Sequence, residues 1–206
     1  MRIKTLVVGP IDVNCHILWD ADTKEAIVVD PGGNPERIMA EIKKDGLTVK
    51  AVVNTHGHSD HIGANDAICE ETGAKLMIHK DDSPMLGDPR ANLSAYMGLK
   101  ITSRPADEYL ADGDEVKFGN ISLKVLHTPG HSAGGICLYG AGALISGDTL
   151  FYGSIGRTDF PGGSLTKLVG GIKEKLLCLP DDTRVFTGHG PGTTIGDEKM
   201  INPYLG

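Results

Sequence analysis

Thr55-His56-Gly57-His58-Ser59-Asp60-His61-Ile62-Gly63 packs three imidazoles and a carboxylate into six positions, directly after the apolar run Val49 to Val53. Imidazole nitrogens and carboxylate oxygens are the usual ligands of zinc and related divalent metals. Residues two apart fall on opposite sides of a helix but on the same side of an extended chain. His56 and His58 therefore reach one metal only from a strand end or loop, and Gly57 leaves the backbone free to turn between them. Asp60 and His61 follow where Ile62 to Thr72 begins to read as a helix, and they point at a second position beside the first. One histidine in a loop is usually a solvated turn residue. Three with an aspartate at this spacing read as a metal site.

Three further stretches place metal-ligand residue types where a strand pattern ends. Leu126-His127-Thr128-Pro129-Gly130-His131 supplies His131, Leu144-Ile145-Ser146-Gly147-Asp148 supplies Asp148, and Val185-Phe186-Thr187-Gly188-His189-Gly190 supplies His189. Singly each is an ordinary turn residue. With the first motif they give seven candidate ligands at strand ends, where loops stay adjustable on a rigid scaffold.

The elements that must position these residues follow from periodicity. Ile3 to Val8, Cys15 to Trp19 and Ala26 to Val29 read as short β-branched strands, and Asp30-Pro31-Gly32-Gly33 ends the third. A helix runs from Pro35 to about Lys44 with Gly46 as its stop. Val49 to Val53 is a buried strand, Ala64 to Thr72 a helix, and Lys75 to Ile78 a strand. Residues 80–107, broken by Pro84, Pro89 and Pro105, lack periodicity and read as a functional loop or lid. Strands resume at Glu115 to Phe118, Ile121 to His127, Gly135 to Tyr139 and Ala143 to Ser146. Leu165 to Leu177 reads as the last long helix and Arg184 to Thr187 as the last strand. This order predicts an α/β protein of two β-rich layers covered by helices, forming one domain over 1–206.

Composition removes several classes. Net charge is -7 and no basic tract occurs, which argues against a nucleic-acid surface. No segment approaches the roughly 20 apolar residues of a membrane span, and the start is not a signal peptide, so the expectation is a cytoplasmic protein with no membrane partner. Cys15, Cys69, Cys137 and Cys178 form no close pair and read as small buried side chains.

His-x-His-x-Asp-His with His131, Asp148 and His189 resembles the metallo-β-lactamase fold superfamily. Asn14-Cys15, Val29-Asp30-Pro31-Gly32-Gly33 and Gly188-His189-Gly190-Pro191 extend the likeness along nearly the whole chain. Gly156-Arg157-Thr158-Asp159-Phe160 and the ending Ile195 to Pro203 are most similar to the short glyoxalase II-like hydrolases. The resemblance implies a four-layer αββα sandwich holding two divalent ions, zinc with iron or manganese as alternatives. His56, His58 and His131 would hold the first, Asp60, His61 and His189 the second, and Asp148 both. It also implies a thioesterase of the hydroxyacylglutathione hydrolase type. A metal-bridging hydroxide, formed from water whose pKa coordination lowers toward roughly 7, would attack a small-molecule thioester. Asp60 and Asp148 would be the catalytic carboxylates. The family's separate C-terminal helical domain, which holds glutathione in the longer enzymes, is not expected here. Nor is antibiotic degradation, since β-lactamase branches carry Cys at the Asp148 position or lack a bridging carboxylate.

Lesser candidates complete the reading. Asp30, at a strand end, reads as a partner that orients a histidine. Arg157 and Tyr152 are candidate substrate contacts, with Tyr96 and Lys100 behind them, although an Arg157–Asp159 ion pair is the stronger reading. His16, His79 and His127 read as structural or exposed. The alternatives to a thioesterase are a mononuclear-iron persulfide dioxygenase, a hydrolase of another ester, lactone or phosphodiester, and a non-catalytic binding module.

Overall fold

The structure is a computed structural model that describes residues 1–206. The chain begins with strands β1 (Arg2–Val8), β2 (Val13–Trp19) and β3 (Glu25–Val29), then helix α1 (Pro35–Asp45) and β4 (Thr48–Val53). Helices α2 (Ser59–Ile62) and α3 (Asn65–Thr72) lead to β5 (Lys75–His79). After 80–107 come β6 (Glu108–Leu110), β7 (Glu115–Phe118), β8 (Ile121–His127), β9 (Ile136–Gly140) and β10 (Ala143–Gly147). A small hairpin, β11 (Leu150–Phe151) and β12 (Ser154–Ile155), precedes helix α4 (Leu165–Gly171), and β13 (Arg184–Thr187), β14 (Thr193–Thr194) and α5 (Ile195–Ile201) close the chain.

Two six-stranded sheets result, ordered β1-β2-β3-β4-β5-β6 and β14-β13-β10-β9-β8-β7. Their apolar residues sort into three layers, and this is what makes the sandwich. Leu18, Ile27, Val29 and Val53 of the first sheet pack on Val116, Phe118, Val125 and Leu138 of the second. The other face of the first sheet packs on Ile38 and Ile42 of α1 and Ile68 of α3. The outer face of the second meets Leu168, Ile172 and Leu176 from α4 and its continuation, with Ile195 of α5. Strand alternation sends successive side chains to opposite faces, so each sheet is buried on both sides. The expected αββα sandwich is the architecture observed. No helix is long and apolar enough to cross a membrane.

Five expectations need correction. The helix expected from Ile62 breaks at Gly63 into α2 and α3, because α2 packs directly on the loop after β3. A Cβ on Gly32 would lie 1.5 Å from the Asp60 carbonyl oxygen. The helix expected from Leu165 to Leu177 widens into a π-helical turn over Ile172–Leu176. Two elements also follow β13. Helix α5 is capped by Thr194, whose hydroxyl accepts from Asp197 N, a local signal that outweighs Gly196 in its first turn. Cys178 is exposed, whereas the other three cysteines are buried.

Segment 80–107 is a strut rather than a free lid. Asn92 Nδ2 donates to the carbonyls of Met85 (3.0 Å) and Ile101 (2.8 Å), closing the segment on itself. Its carbonyl accepts from Ser59 N at 3.0 Å, which ties it to the start of α2.

Candidate metal centre

All seven expected ligands meet at one end of the sandwich, delivered from the C-terminal ends of β4, β8, β10 and β13. Three groups form, each with ligand atoms within 4.8 Å of one another: His56, His58 and His131; His56, His61 and Asp148; Asp60, His61 and His189. The rings of His56, His58 and His131 stand nearly perpendicular, with centroids 4.7, 4.8 and 4.7 Å apart. This is a tripod of imidazoles. His58 Nδ1 and His131 Nε2 face each other at 3.0 Å.

Hydrogen bonds fix which nitrogen faces inward. His131 Nδ1 donates to the Arg157 carbonyl at 2.8 Å, so its Nε2 carries the free lone pair. Thr55 Oγ1 donates to Asp30 Oδ2 at 2.7 Å and can then accept from His56 Nδ1 at 3.2 Å. His56 Nε2 is thereby left buried without a protein partner, as is Asp148 Oδ1. Buried polar atoms without partners are uncommon, and here they point at a shared centre. The donor set fits divalent metal.

Burial, helped by neighbouring rings, holds His56 far below the ordinary histidine range. Burial and the adjacent His131 bring His58 down to about 3. Both are neutral, the form that ligates metal. The second group has the opposite balance. Burial lowers His61, but Asp60, Asp30 and Asp148 outweigh it and raise it well above its usual value. Burial raises Asp60, but His61, His189 and His56 hold it well below the carboxylate range. Asp148 lies between the groups: Oδ2 is 3.5 Å from His131 Nε2 and 3.8 Å from His189 Nε2, and Oδ1 is 3.5 Å from His61 Nε2. Asp30 stands beneath, with Oδ1 accepting from Thr55 N and Oδ2 lying 3.0 Å from His61 Nδ1.

The groups open onto a cavity of about 730 Å³ whose walls include Ile11, Leu93, Met97, Phe151, Ile155 and Phe160. Arg157 lines it, but its guanidinium is engaged by Asp159 at 3.0 and 2.7 Å and lies 4.3 Å over the Phe160 ring. Tyr96 reaches the cavity from the strut. Tyr152 does not. It sits at the turn of the β11–β12 hairpin, 57% exposed, and Phe151 faces the cavity in its place. Lys100 lies in a separate surface depression. His127 also stays outside, stacked on His79 at 4.1 Å with 10° between ring planes. Asp81 lies beside this pair. In-plane lone pairs of parallel rings do not converge on one ion, so the trio is a poor metal group.

Apart from Asp30, sequence reasoning missed the residues that hold the ligand loops. Asn14 is one: its Nδ2 donates to the carbonyls of Thr187 and Gly190, and its N donates to Gly188 O, fixing the His189 loop to β2. Glu198 of α5, fully buried, accepts from Gly153 N and fixes the hairpin that carries Phe151.

Comparisons with known proteins agree with this geometry. A family model described as the metallo-beta-lactamase superfamily matches residues 8–189. A Bacillus subtilis protein named probable metallo-hydrolase YqgX is 40% identical over all of this chain and 98% of its own length. The Haemophilus influenzae protein named hydroxyacylglutathione hydrolase GloC is 36% identical, again over 100% of this chain and 98% of that one. Among solved structures, BLEG-1 B3 metallo-beta-lactamase matches with a TM-score of 0.95 and 42% identity, covering 99% of both chains. TTHA1623 in a di-iron-bound form matches at 0.87 and 36%, over 98% of this chain and 100% of that one.

Proposed function

The chain belongs to the metallo-β-lactamase superfamily, and we propose that within it the protein is a two-metal thioester hydrolase of the hydroxyacylglutathione hydrolase type. The observation that carries this reading is the meeting of two ligand groups at Asp148, on the floor of a largely apolar cavity. Full-length similarity to GloC supports the substrate class.

His56, His58 and His131 would hold one ion, Asp60, His61 and His189 the other, and Asp148 both. Bound divalent metal supplies an activated water near neutral pH and an electrophile for the carbonyl oxygen. Asp60, kept ionised beside His61 and His189, would hold the second ion and is placed to orient that water by accepting a hydrogen bond from it. Phe160 packs against the His58 and His131 rings at 5.5 and 6.1 Å and keeps bulk water from that side of the reacting carbonyl. A thiolate leaving group, with a thiol pKa near about 8.5, needs little assistance from an acid. Zinc is the metal proposed, and the di-iron form of TTHA1623 makes iron the alternative to test.

The test is thiol release from S-lactoylglutathione by metal-analysed protein, with Asp148→Asn beside it. Turnover with two equivalents of metal is expected, and the variant should lose about 10³-fold in activity and at least one ion. Full activity with one ion fewer would sink the two-metal reading. The similarity to BLEG-1 favours β-lactam hydrolysis as a second reading. Cephalosporin ring opening, measured on the same preparation, would reverse the order if it outran thioester cleavage.

A further inference from the structure

Asp82 is a buried carboxylate that the reaction does not use. Its residue is 0% exposed, and it stands at the start of the strut, outside every ligand group. Both oxygens take backbone amides. Gly57 N donates to Oδ2 at 3.1 Å, and Gly134 N donates to Oδ1 at 2.6 Å. Gly57 lies between His56 and His58 in the loop leaving the first sheet. Gly134 belongs to the loop after β8 in the second sheet, three residues beyond His131. One carboxylate thus joins the two loops that form the imidazole tripod.

The fit is close on both sides. A Cβ on Gly57 would lie 2.6 Å from Met85 Cβ and 2.9 Å from the Asp82 carbonyl oxygen. A Cβ on Gly134 would lie 2.7 Å from Asp82 N and 2.9 Å from its Cγ. Only glycine lets each loop approach this carboxylate. Charge-assisted bonds to backbone amides are roughly twice as strong as neutral ones, and two of them in a dry site fix a separation.

We propose that Asp82 is a positioning residue that sets the distance between the His56–His58 loop and the His131 loop, and so preorganises the tripod for metal. The proposal rests on reading those histidines as a metal group. It assigns Asp82 no contact with substrate.

A matched control is present in the same molecule. Asp20 is also buried and also bridges the sheets, accepting from Asp22 N at 3.0 Å and from Asn120 N at 2.7 Å. It lies beyond the far end of β2, about 20 Å of strand away from the ligand end. The experiment is a zinc titration of metal-free wild type, Asp82→Asn, Asp82→Ala and Asp20→Ala, read by metal content and affinity, with His131→Ala identifying the tripod step. Asp82→Asn keeps the shape but presents an N–H to one of the two amides, so it decides the matter if Asp82→Ala fails to fold. Tripod affinity should fall about 10- to 100-fold in the Asp82 variants. The second step should hold, and Asp20→Ala should bind like wild type. Unchanged tripod affinity in Asp82→Asn, or an equal loss in Asp20→Ala, would overturn the proposal while leaving the hydrolase reading intact. Wild type that takes up neither zinc nor ferrous iron would overturn the metal reading itself.

Discussion

Four of the seven candidate ligands come from one six-residue run of the first sheet, and three come from separate strand ends of the second. The two sides are seated by different means. His56, His58, Asp60 and His61 rest on buried carboxylates, with Asp30 taking Thr55 and His61, and Asp82 taking Gly57. His131 and Asp148 rest chiefly on backbone and close approach, and Asp82 reaches this side only at Gly134. The Arg157 carbonyl turns His131, and a Cβ on Gly188 would sit 2.1 Å from Asp148 Oδ1. Loss of the Asp30 charge should therefore damage the first side alone, and a methyl group added at Gly188 the second.

The largest effect that sharpens this comparison is expected at the seam between the sides. His16 of β2 donates from Nε2 to the Thr187 carbonyl at 3.1 Å and accepts at Nδ1 from Thr5 at 2.9 Å. Burial lowers its pKa from 6.5 to about 4. The unfolded chain takes up the proton first as pH falls, so this stability is fully present above pH 6.5 and is lost between about 6.5 and 4. The loss is about 3 kcal/mol. Denaturant unfolding at pH 7 and pH 4 should show it, and His16→Gln should flatten the slope. Gly188→Ala comes next. Overpacking against Asp148 should cost about 2 kcal/mol, read as a lower melting temperature, and should displace metal from the Asp148 side first. A methyl group tolerated there would erase the contrast between the two sides.

Asp30→Asn tests the first side, with metal affinity at the His61 group expected to drop about tenfold in a chelator competition. Unchanged affinity would show that His61 does not depend on the carboxylate beneath it. The smallest effect belongs to Asp159→Asn, which breaks an ion pair whose side chains are 67% and 66% exposed. It should leave thermal stability and metal content essentially unchanged.

The same asymmetry explains what could be read from sequence. The first ligand run is contiguous, and its alternation through Gly57 follows from backbone geometry alone. Strands such as β4 and β8 announce themselves through β-branched and alternating residues, so the sandwich was legible from periodicity and resemblance together. Asp82 was not legible, because its partners are backbone amides 25 and 52 positions away and its own segment has no period. Tyr152 misled for a related reason. In a hairpin with two-residue strands, which neighbour faces the cavity depends on register, and Phe151 takes the inward place. Thr194 and Asp197 did carry a capping signal for α5, overlooked beside the stronger patterns upstream.

The strut combines a fixed base and a free rim. Asp82 and Asn92 are fully buried and tied to the ligand loop, while Tyr96 and Met97 stand 76% and 48% exposed at the cavity mouth. Mutational drift at the rim can reshape what enters the cavity without disturbing the anchors that hold the histidines. Substrate range can then diverge between lineages while the inorganic centre is inherited. Chains resembling this one by 36% and 42% carry names for two different reactions.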